Sequence, residues 1–297
     1  MLEKNTILEI LFDWNFWKKD LSVGIERKNY LSQADSFLKS NVILPIIGVR
    51  RAGKSYLMRQ IAKKLFSKDI KKEEILIINF EDKRFADFSI KLLDGIYETY
   101  LEILKPTRKI FVFLDEIHKV PQWEKWVRTF HELNKGKVII SGSSADLMKG
   151  ELATLLTGRH LDLIVFPLSF SEFLCFKNLE IKNELDLIEK KIEIKRYFKE
   201  YLEFGGFPEV VLGQEKKQLL LTYFDDVLTK DIEGRYNIRE KERLRSLSRF
   251  YLTNIGNLIT FNSLKKFLEI TTDTIEKFSF YLEQANLIFL LKDSLLR

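Results

Sequence analysis

The segment IIGVRRAGKSYLMRQIAKKL, residues 46 to 65, constrains the fold more than any other part of the chain. It passes from consecutive apolar residues through a glycine-bounded basic turn into a pattern of helical periodicity. Gly48, Gly53, Lys54 and Ser55 fit the spacing G-x-x-x-x-G-K-[ST], with a strand before it and a helix after it, as this motif requires. The segment therefore predicts a phosphate-binding loop.

The residue types in this loop each suit the binding of a polyphosphate. Glycines let the backbone wrap closely, so that amide N–H groups and the helix N-terminus face the anion. Lys54 is predicted to reach the β- and γ-phosphates, and Ser55 to ligate Mg²⁺. Arg50 and Arg51 either add positive potential or are simply solvated. The residues predicted to contact nucleotide are Gly48, Val49, Arg50, Arg51, Ala52, Gly53, Lys54, Ser55 and Tyr56.

Strand-like and helical segments alternate around this loop. Apolar runs at 42–49, 75–80, 110–117, 137–144 and 161–168 suit strands that are covered on both faces. Helical patterns at 54–66, 89–104 and 121–134 lie between the first four runs. This order predicts an α/β fold, a three-layer P-loop NTPase with a parallel sheet. Beyond residue 170 the pattern becomes helical.

An acidic pair follows the third predicted strand. In FVFLDEIHKV, Asp115 and Glu116 come directly after four apolar residues. Asp115 is predicted to hold Mg²⁺ through water, and Glu116 to orient and polarise the attacking water. The alternative is that they cap the helix that begins near Pro121, but they lie too far upstream to be N-cap residues.

Two further predicted strands end in polar side chains, and these do not indicate a single function. VIISGSS ends in Ser141, Ser143 and Ser144, where a side chain could sense the γ-phosphate, although serines in a strand-to-helix turn are equally typical of a cap. Asn79, at the end of ILIINF, either holds Glu116 in an inactive position or is only a polar strand end.

Four blocks in this order and spacing resemble the AAA+ ATPases of an archaeal and bacterial group related to the STAND class. The blocks are GVRRAGKS, LDEIHKVPQWEKWV, ISGSSADLMKGELATLLTGR and VFPLSFSEFL. The resemblance covers roughly residues 20 to 210. It implies ATP binding and hydrolysis with Mg²⁺, a P-loop module followed by a helical and winged-helix region, and catalytic residues Lys54, Glu116, Ser143 as sensor, and Arg159.

Arg159 leaves two interpretations open. It could stabilise γ-phosphate charge within its own chain, or reach into a neighbouring subunit of a homo-oligomer. A surface arginine with neither role is the alternative.

The resemblance divides the chain into four predicted parts: an N-terminal helical lead-in (1–40), an AAA+ core (41–175), a helical lid (176–235) and a winged-helix-like region (236–297). The last part shows one strand-like run, LIFLL, and no second strand to pair with it, which predicts a truncated wing. Residues 235–297 hold 11 Lys and Arg against 7 Asp and Glu, which suits DNA, but the acids of TTDTIEKFSFYLEQ would repel phosphate. RYNIREKERLRSLSR is the better candidate DNA surface.

The composition of the chain limits the kinds of partner and the cellular compartment that we expect. The formal net charge of +6 favours anionic partners, namely nucleotide, nucleic acid or an acidic protein. Cys175 is the single cysteine, so a disulfide framework is excluded and a reducing compartment is indicated. No apolar run reaches membrane-spanning length, and no signal peptide is evident. We therefore expect a cytoplasmic ATPase without a membrane partner. The alternatives are a slow nucleotide-gated switch and a DNA-binding regulator.

Overall fold

The computed structural model describes residues 3–143 and 159–291, and it divides the chain into two compact units, 1–208 and 209–297. The first unit contains a sheet of five parallel strands in the order β2-β3-β4-β1-β5. The strands are β1 (Leu44–Gly48), β2 (Ile75–Asn79), β3 (Ile110–Asp115), β4 (Gly136–Ser143) and β5 (Leu163–Val165).

Helices cover both faces of this sheet. In the first unit they are α1 (Lys4–Trp14), α2 (Lys28–Lys39), α3 (Lys54–Phe66), α4 (Ile90–Leu104), α5 (Trp123–Glu132), α6 (Phe170–Phe176), α7 (Glu184–Glu189) and α8 (Lys191–Phe204). Short 3₁₀ turns span Lys72–Glu74 and Ile117–Lys119.

The strands have apolar residues on both faces because each face contributes to its own core. Ile47 and Leu114 pack with α1, α4 and α5 on one side of the sheet. Ile46 and Phe113 pack with α2 and α3 on the other side. Successive strand residues point to opposite faces, so continuous apolar runs fill both cores at once. The predicted three-layer α/β fold is confirmed.

The carboxyl ends of the parallel strands meet at one edge of the sheet. Gly48 at the end of β1 is in register with Ser143 of β4 and with Val165 of β5. Asp115 ends β3 beside Asn79 of β2. The loops that carry the predicted phosphate-binding and acidic residues therefore emerge at the same edge, as in other parallel α/β sheets that bind ligands there.

The second unit is helical over its described residues. Helix α9 (Pro208–Leu212) leads into it, and it contains α10 (Lys216–Asp226), a π-helix (Val227–Glu233), α11 (Gly234–Tyr236), α12 (Lys241–Thr253), α13 (Phe261–Leu268) and α14 (Thr272–Gln284). Leu228, Leu247 and Leu282 are buried in one core. A C-terminal helical region is thus confirmed.

The predicted first wing strand is wrong. Residues 287–291 form no strand, and the N–H of Leu290 instead donates to the Glu283 carboxylate at 3.1 Å. A strand is stable only when a neighbour accepts its backbone hydrogen bonds, and the described residues of this unit contain none. In residues 3–143 and 159–291, every helix is too short or too polar to cross a bilayer.

Candidate nucleotide site

Both glycines of the phosphate loop are required by local geometry. A Cβ on Gly48 would lie 2.0 Å from the carbonyl oxygen of Val165 on the adjacent strand, which is inside van der Waals contact. Gly53 has φ of 92°, in the left-handed region that strains other residues, and it is the residue directly before α3. At both glycine positions of the motif, the backbone geometry therefore disfavours a residue with a side chain.

The N-terminus of α3 offers its backbone donors to a ligand. None of the described side chains caps this end, and its first turn contains no acid. The first N–H groups of a helix have no partner within the helix and carry partial positive charge. An anion placed at this end would receive those hydrogen bonds, as phosphate does in other proteins.

Lys54 turns back toward the loop from the first turn of α3. Its ammonium group donates to the carbonyl oxygens of Gly48 at 3.1 Å and Val49 at 3.2 Å, and the residue is only 6% exposed. The lysine charge therefore lies inside the loop, where the structure surrounds it with backbone. A phosphate oxygen in the loop would meet this buried cation at short range.

The other predicted loop residues differ in burial. Val49 and Ala52 are buried, so only their backbone groups are available to a ligand. Arg50 is half-buried and Arg51 is exposed with φ of 68°. Tyr56 is 46% exposed and lies beneath the Arg59 guanidinium, 4.7 Å from its ring centre. These last side chains lie at the rim rather than in the loop.

The acidic pair lies beside the phosphate loop. The Asp115 carboxylate accepts a hydrogen bond from the hydroxyl of Ser141, and the nearby Ser55 hydroxyl lowers the pKa of Asp115. The same Ser141 oxygen accepts the backbone N–H of Glu116 at 3.1 Å. Ser55 and Asp115, the two predicted magnesium ligands, therefore lie near each other. Hydroxyl and carboxylate oxygens are hard donors, and this pair fits Mg²⁺.

Burial changes the acid–base behaviour of both carboxyls. It raises the pKa of Asp115, against the opposing effect of the Ser141 and Ser55 hydroxyls. Burial likewise raises the pKa of Glu116 to about 7, although the nearby Lys54 charge lowers it. Glu116 also adopts a left-handed backbone with φ of 55°, which is uncommon for a residue with a side chain. Perturbed carboxyls of this kind cluster at functional sites.

Not all predicted residues meet at this edge. Ser143 ends β4 in register with Gly48, but its side chain lies outside the described residues. The Arg159 carbonyl accepts the N–H of Ile43 at 2.8 Å, just before β1 begins, and its guanidinium pairs with Glu132. Arg159 therefore lies at the amino edge of the sheet, one strand length from the phosphate loop. In this arrangement Arg159 is paired with Glu132 and does not lie beside the phosphate loop, and its catalytic role stays a prediction.

Asn79 does not contact Glu116 in the structure. Its side-chain oxygen accepts the N–H of Glu81 at 2.8 Å and so closes its own turn. The side chain that approaches Glu116 is His118, with Nδ1 3.3 Å from the carboxylate. The sequence holds no spacing signal for this contact, because it depends on the 3₁₀ turn Ile117–Lys119.

Sequence reasoning also missed Arg27. Its guanidinium, 3% exposed, contacts the carbonyl of Ala52 in the phosphate loop and the carboxylate of Glu172. The ion pair spans 145 positions in the sequence, so no local pattern could reveal it.

The predicted DNA surface of the second unit is partly neutralised. Lys241 and Arg243 pair with Glu233 and Glu240, and Arg245 pairs with Asp225. On α14, Asp273 and Glu276 are exposed, which agrees with the acids expected to repel phosphate. DNA binding stays a prediction.

Comparison with known proteins agrees with the fold and the loop. An AAA domain family matches residues 40–174, and a domain of unknown function matches residues 195–294. The chain is 36% identical to the uncharacterised protein MJ1544 of Methanocaldococcus jannaschii, over 99% of this chain and 65% of that protein. It is 33% identical to an uncharacterised protein of Haemophilus influenzae, over 89% of this chain and 66% of that protein. The chain thus spans about 65% of the length of these relatives.

Among solved structures, a Walker-type ATPase of Pyrococcus abyssi superposes with a TM-score of 0.53 at 13% identity, covering 90% of this chain and 91% of that one. At this identity the likeness concerns the fold alone. The relation to the STAND class stays a prediction. The match to the AAA domain family identifies residues 40–174 as a P-loop ATPase domain of the AAA+ type.

Proposed function

We propose that this protein binds ATP with Mg²⁺ at the carboxyl edge of its sheet and hydrolyses it to ADP and phosphate. The observation that carries the proposal is the buried Lys54 ammonium, which donates to the loop carbonyls of Gly48 and Val49 and lies close to the carboxyls of Asp115 and Glu116. It joins a glycine-bounded loop to a buried acidic pair, and these are the two halves that phosphoryl transfer from a nucleotide needs.

The roles follow from the chemistry of each group. Lys54 and the N–H groups at the start of α3 bind and stabilise the negative charge of the phosphates. Ser55 and Asp115 would hold Mg²⁺, which when bound neutralises charge on the phosphate oxygens. Glu116 accepts a hydrogen bond from the attacking water and orients it. A carboxyl whose pKa is about 7 can accept a proton near neutral pH and release it again.

Nucleotide state is proposed to move the C-terminal helical region. A Cβ on Gly53 would lie 3.7 Å from Cγ of Pro208, so the phosphate loop lies beside the residue at which the first unit ends. A shift of the loop on nucleotide binding would displace the start of α9, where the chain enters the second unit. The winged-helix character of that unit, DNA as its partner, a protein partner and a homo-oligomer in which Arg159 acts in trans remain parts of this proposal.

Two variants test the assignment. Lys54→Ala should lose nucleotide affinity, because the loop then lacks its buried cation. Glu116→Gln should still bind ATP while phosphate release falls about 100-fold or more, which is the usual contribution of a positioned acid–base group. Glu9→Gln, at an exposed position on α1, serves as the control for folding and handling. Nucleotide binding is followed by titration, and turnover by release of inorganic phosphate.

The same measurements separate hydrolysis from a switch that retains its nucleotide. A wild-type protein that binds ATP but releases phosphate no faster than Glu116→Gln would favour the slow switch. A wild-type protein that binds neither ATP nor ADP would contradict the whole proposal.

A further inference from the structure

Arg27 connects three segments of the first unit that meet at the phosphate loop. Its Nη1 donates to the carbonyl of Ala52 at 3.1 Å and to the carbonyl of Phe166 at 2.9 Å. Its Nε and Nη2 each donate to one oxygen of Glu172 at 2.8 Å. The guanidinium also lies over the ring of Tyr30, 4.4 Å from its centre. Four of its five N–H donors can thus be directed at named acceptors.

The contact with Ala52 fixes one peptide group of the loop. Ala52 directly precedes Gly53, and the described peptide bonds are all trans. In a trans peptide the C=O and the following N–H point in opposite directions. When Arg27 holds the Ala52 carbonyl on the protein side, the N–H of Gly53 is directed away from Arg27. Because Gly53 has no Cβ, sterics restrict the rotation of this peptide less than elsewhere, and the Arg27 contact adds a restraint.

Glu172 holds Arg27 in place. The paired contacts form a planar fork between guanidinium and carboxylate, a geometry that lysine cannot reproduce. Glu172 is itself fixed, since its carboxylate accepts the N–H of Ser169 at 2.9 Å at the start of α6. The backbone N–H of Arg27 donates to the buried side chain of Gln60 on α3 at 3.1 Å.

We propose that Arg27 is a positioning residue for the phosphate loop: held by Glu172, it orients the Ala52–Gly53 peptide so that the Gly53 N–H faces the bound phosphate chain. The inference rests on the proposed function, because it assigns the loop to a polyphosphate. Arg27 acts through the backbone of Ala52, whose carbonyl it contacts. The role concerns the phosphates and not the nucleoside.

The test uses a ligand that has phosphates and no base or sugar. Dissociation constants for Mg·ATP and for magnesium tripolyphosphate are measured by calorimetry on the full chain, for wild type, Arg27→Lys, Arg27→Gln and Glu172→Gln. Arg27→Lys keeps the charge but loses the fork. The matched control is Tyr30→Phe, which removes the hydrogen bond between the Tyr30 hydroxyl and the N–H of Phe166 and leaves the loop contact intact. Melting temperatures of the ligand-free proteins report on folding.

The Arg27 variants should weaken both ligands by the same factor, about tenfold or more, because a misdirected donor costs much of a charged hydrogen bond. Glu172→Gln should weaken the binding of both ligands by about threefold or more. If the Arg27 variants fail to fold, this variant alone tests the inference. Tyr30→Phe should leave both affinities within about twofold, as expected for one lost hydrogen bond away from the loop.

Folded Arg27→Lys and Glu172→Gln proteins that bind tripolyphosphate as wild type does would overturn the inference. A loss seen for ATP and absent for tripolyphosphate would overturn it too, since Arg27 would then act on the nucleoside. Failure of the proposed function looks different, because the wild-type protein itself would then bind neither ligand.

Discussion

At the scale of single residues, Glu116 gives a pH dependence with a defined sign. Burial raises its pKa from 4.5 to about 7, so the folded protein holds the proton more strongly than the unfolded chain. The stability gained from this is fully present below pH 4.5 and is lost as the pH rises through about 7. Charged Glu116 therefore lowers the free energy of unfolding relative to protonated Glu116.

Glu116→Gln should therefore become more stable than wild type as the pH rises from 4.5 to 7, by on the order of 1–3 kcal/mol. Urea unfolding of the nucleotide-free proteins across this range measures the difference. Glu9→Gln, an exposed position on α1, is the control and should show no such trend. A constant offset between Glu116→Gln and wild type would contradict the prediction.

Gly48 gives a steric prediction at the same scale. Gly48→Ala would place a methyl group 2.0 Å from the Val165 carbonyl, so β1 and β5 would have to separate. We expect a loss of about 1–3 kcal/mol or more in the free energy of unfolding. Gly95→Ala, within α4, meets nothing within 4 Å and should instead stabilise by up to about 1 kcal/mol. Equal effects of the two substitutions would refute this account.

At the scale of elements, α1 is tied to the outer strand β2 by a side chain. Asn15 accepts the N–H of Ile77 at 2.7 Å and donates to the Ile77 carbonyl at 2.8 Å. It thus pairs with β2 as a neighbouring strand would. Trp17 adds a hydrogen bond to the carbonyl of Ile75 at 2.9 Å.

Asn15→Ala should leave two buried backbone groups without partners and lower the free energy of unfolding by about 2–5 kcal/mol. Urea denaturation measures it. Asn5→Ala, at an exposed position on α1, is the matched control and should change stability by less than about 0.5 kcal/mol. Equal stabilities of Asn15→Ala and wild type would show that water replaces these hydrogen bonds.

The elements near the phosphate loop could be predicted from sequence because their signals are local. The helix expected at 54–66 is found as Lys54–Phe66, since the motif and the apolar period both mark its limits. β5 is shorter than expected, because only Leu163–Val165 pair with β1 as a strand. The run LIFLL was read as a strand from its composition, but a strand also requires a partner, which composition does not reveal.

Some residues of the candidate site could be predicted from the sequence and others could not. Lys54, Ser55, Asp115 and Glu116 could be proposed because the motif and the strand ends lie at fixed spacings. Arg27, Glu172 and His118 could not, since their contacts depend on how distant segments or a single 3₁₀ turn are placed. The position of Arg159 depended on its register with the chain before β1, which no motif encodes.

At the scale of the whole molecule, the two units have separate cores. Nucleotide bound to the first unit should stabilise that unit by about 2.7 kcal/mol at a ligand concentration of 100 Kd. Hydrogen exchange of the full chain should slow in β1, α3 and β3 when Mg·ATP is added. The buried amides of α12 and α14 should exchange at unchanged rates. Equal protection throughout would mean that the two units unfold as one.

The bonds that Asn15 and Trp17 make with β2 have a consequence for solubility. An outer strand with free backbone groups is a template for edge-to-edge association between chains, and proteins avoid it by covering such edges. Here the cover is α1 and the residues that follow it, held by these hydrogen bonds and by the burial of Ile10 and Leu11 in the core. A chain shortened past Trp17 would uncover β2 and should aggregate through it.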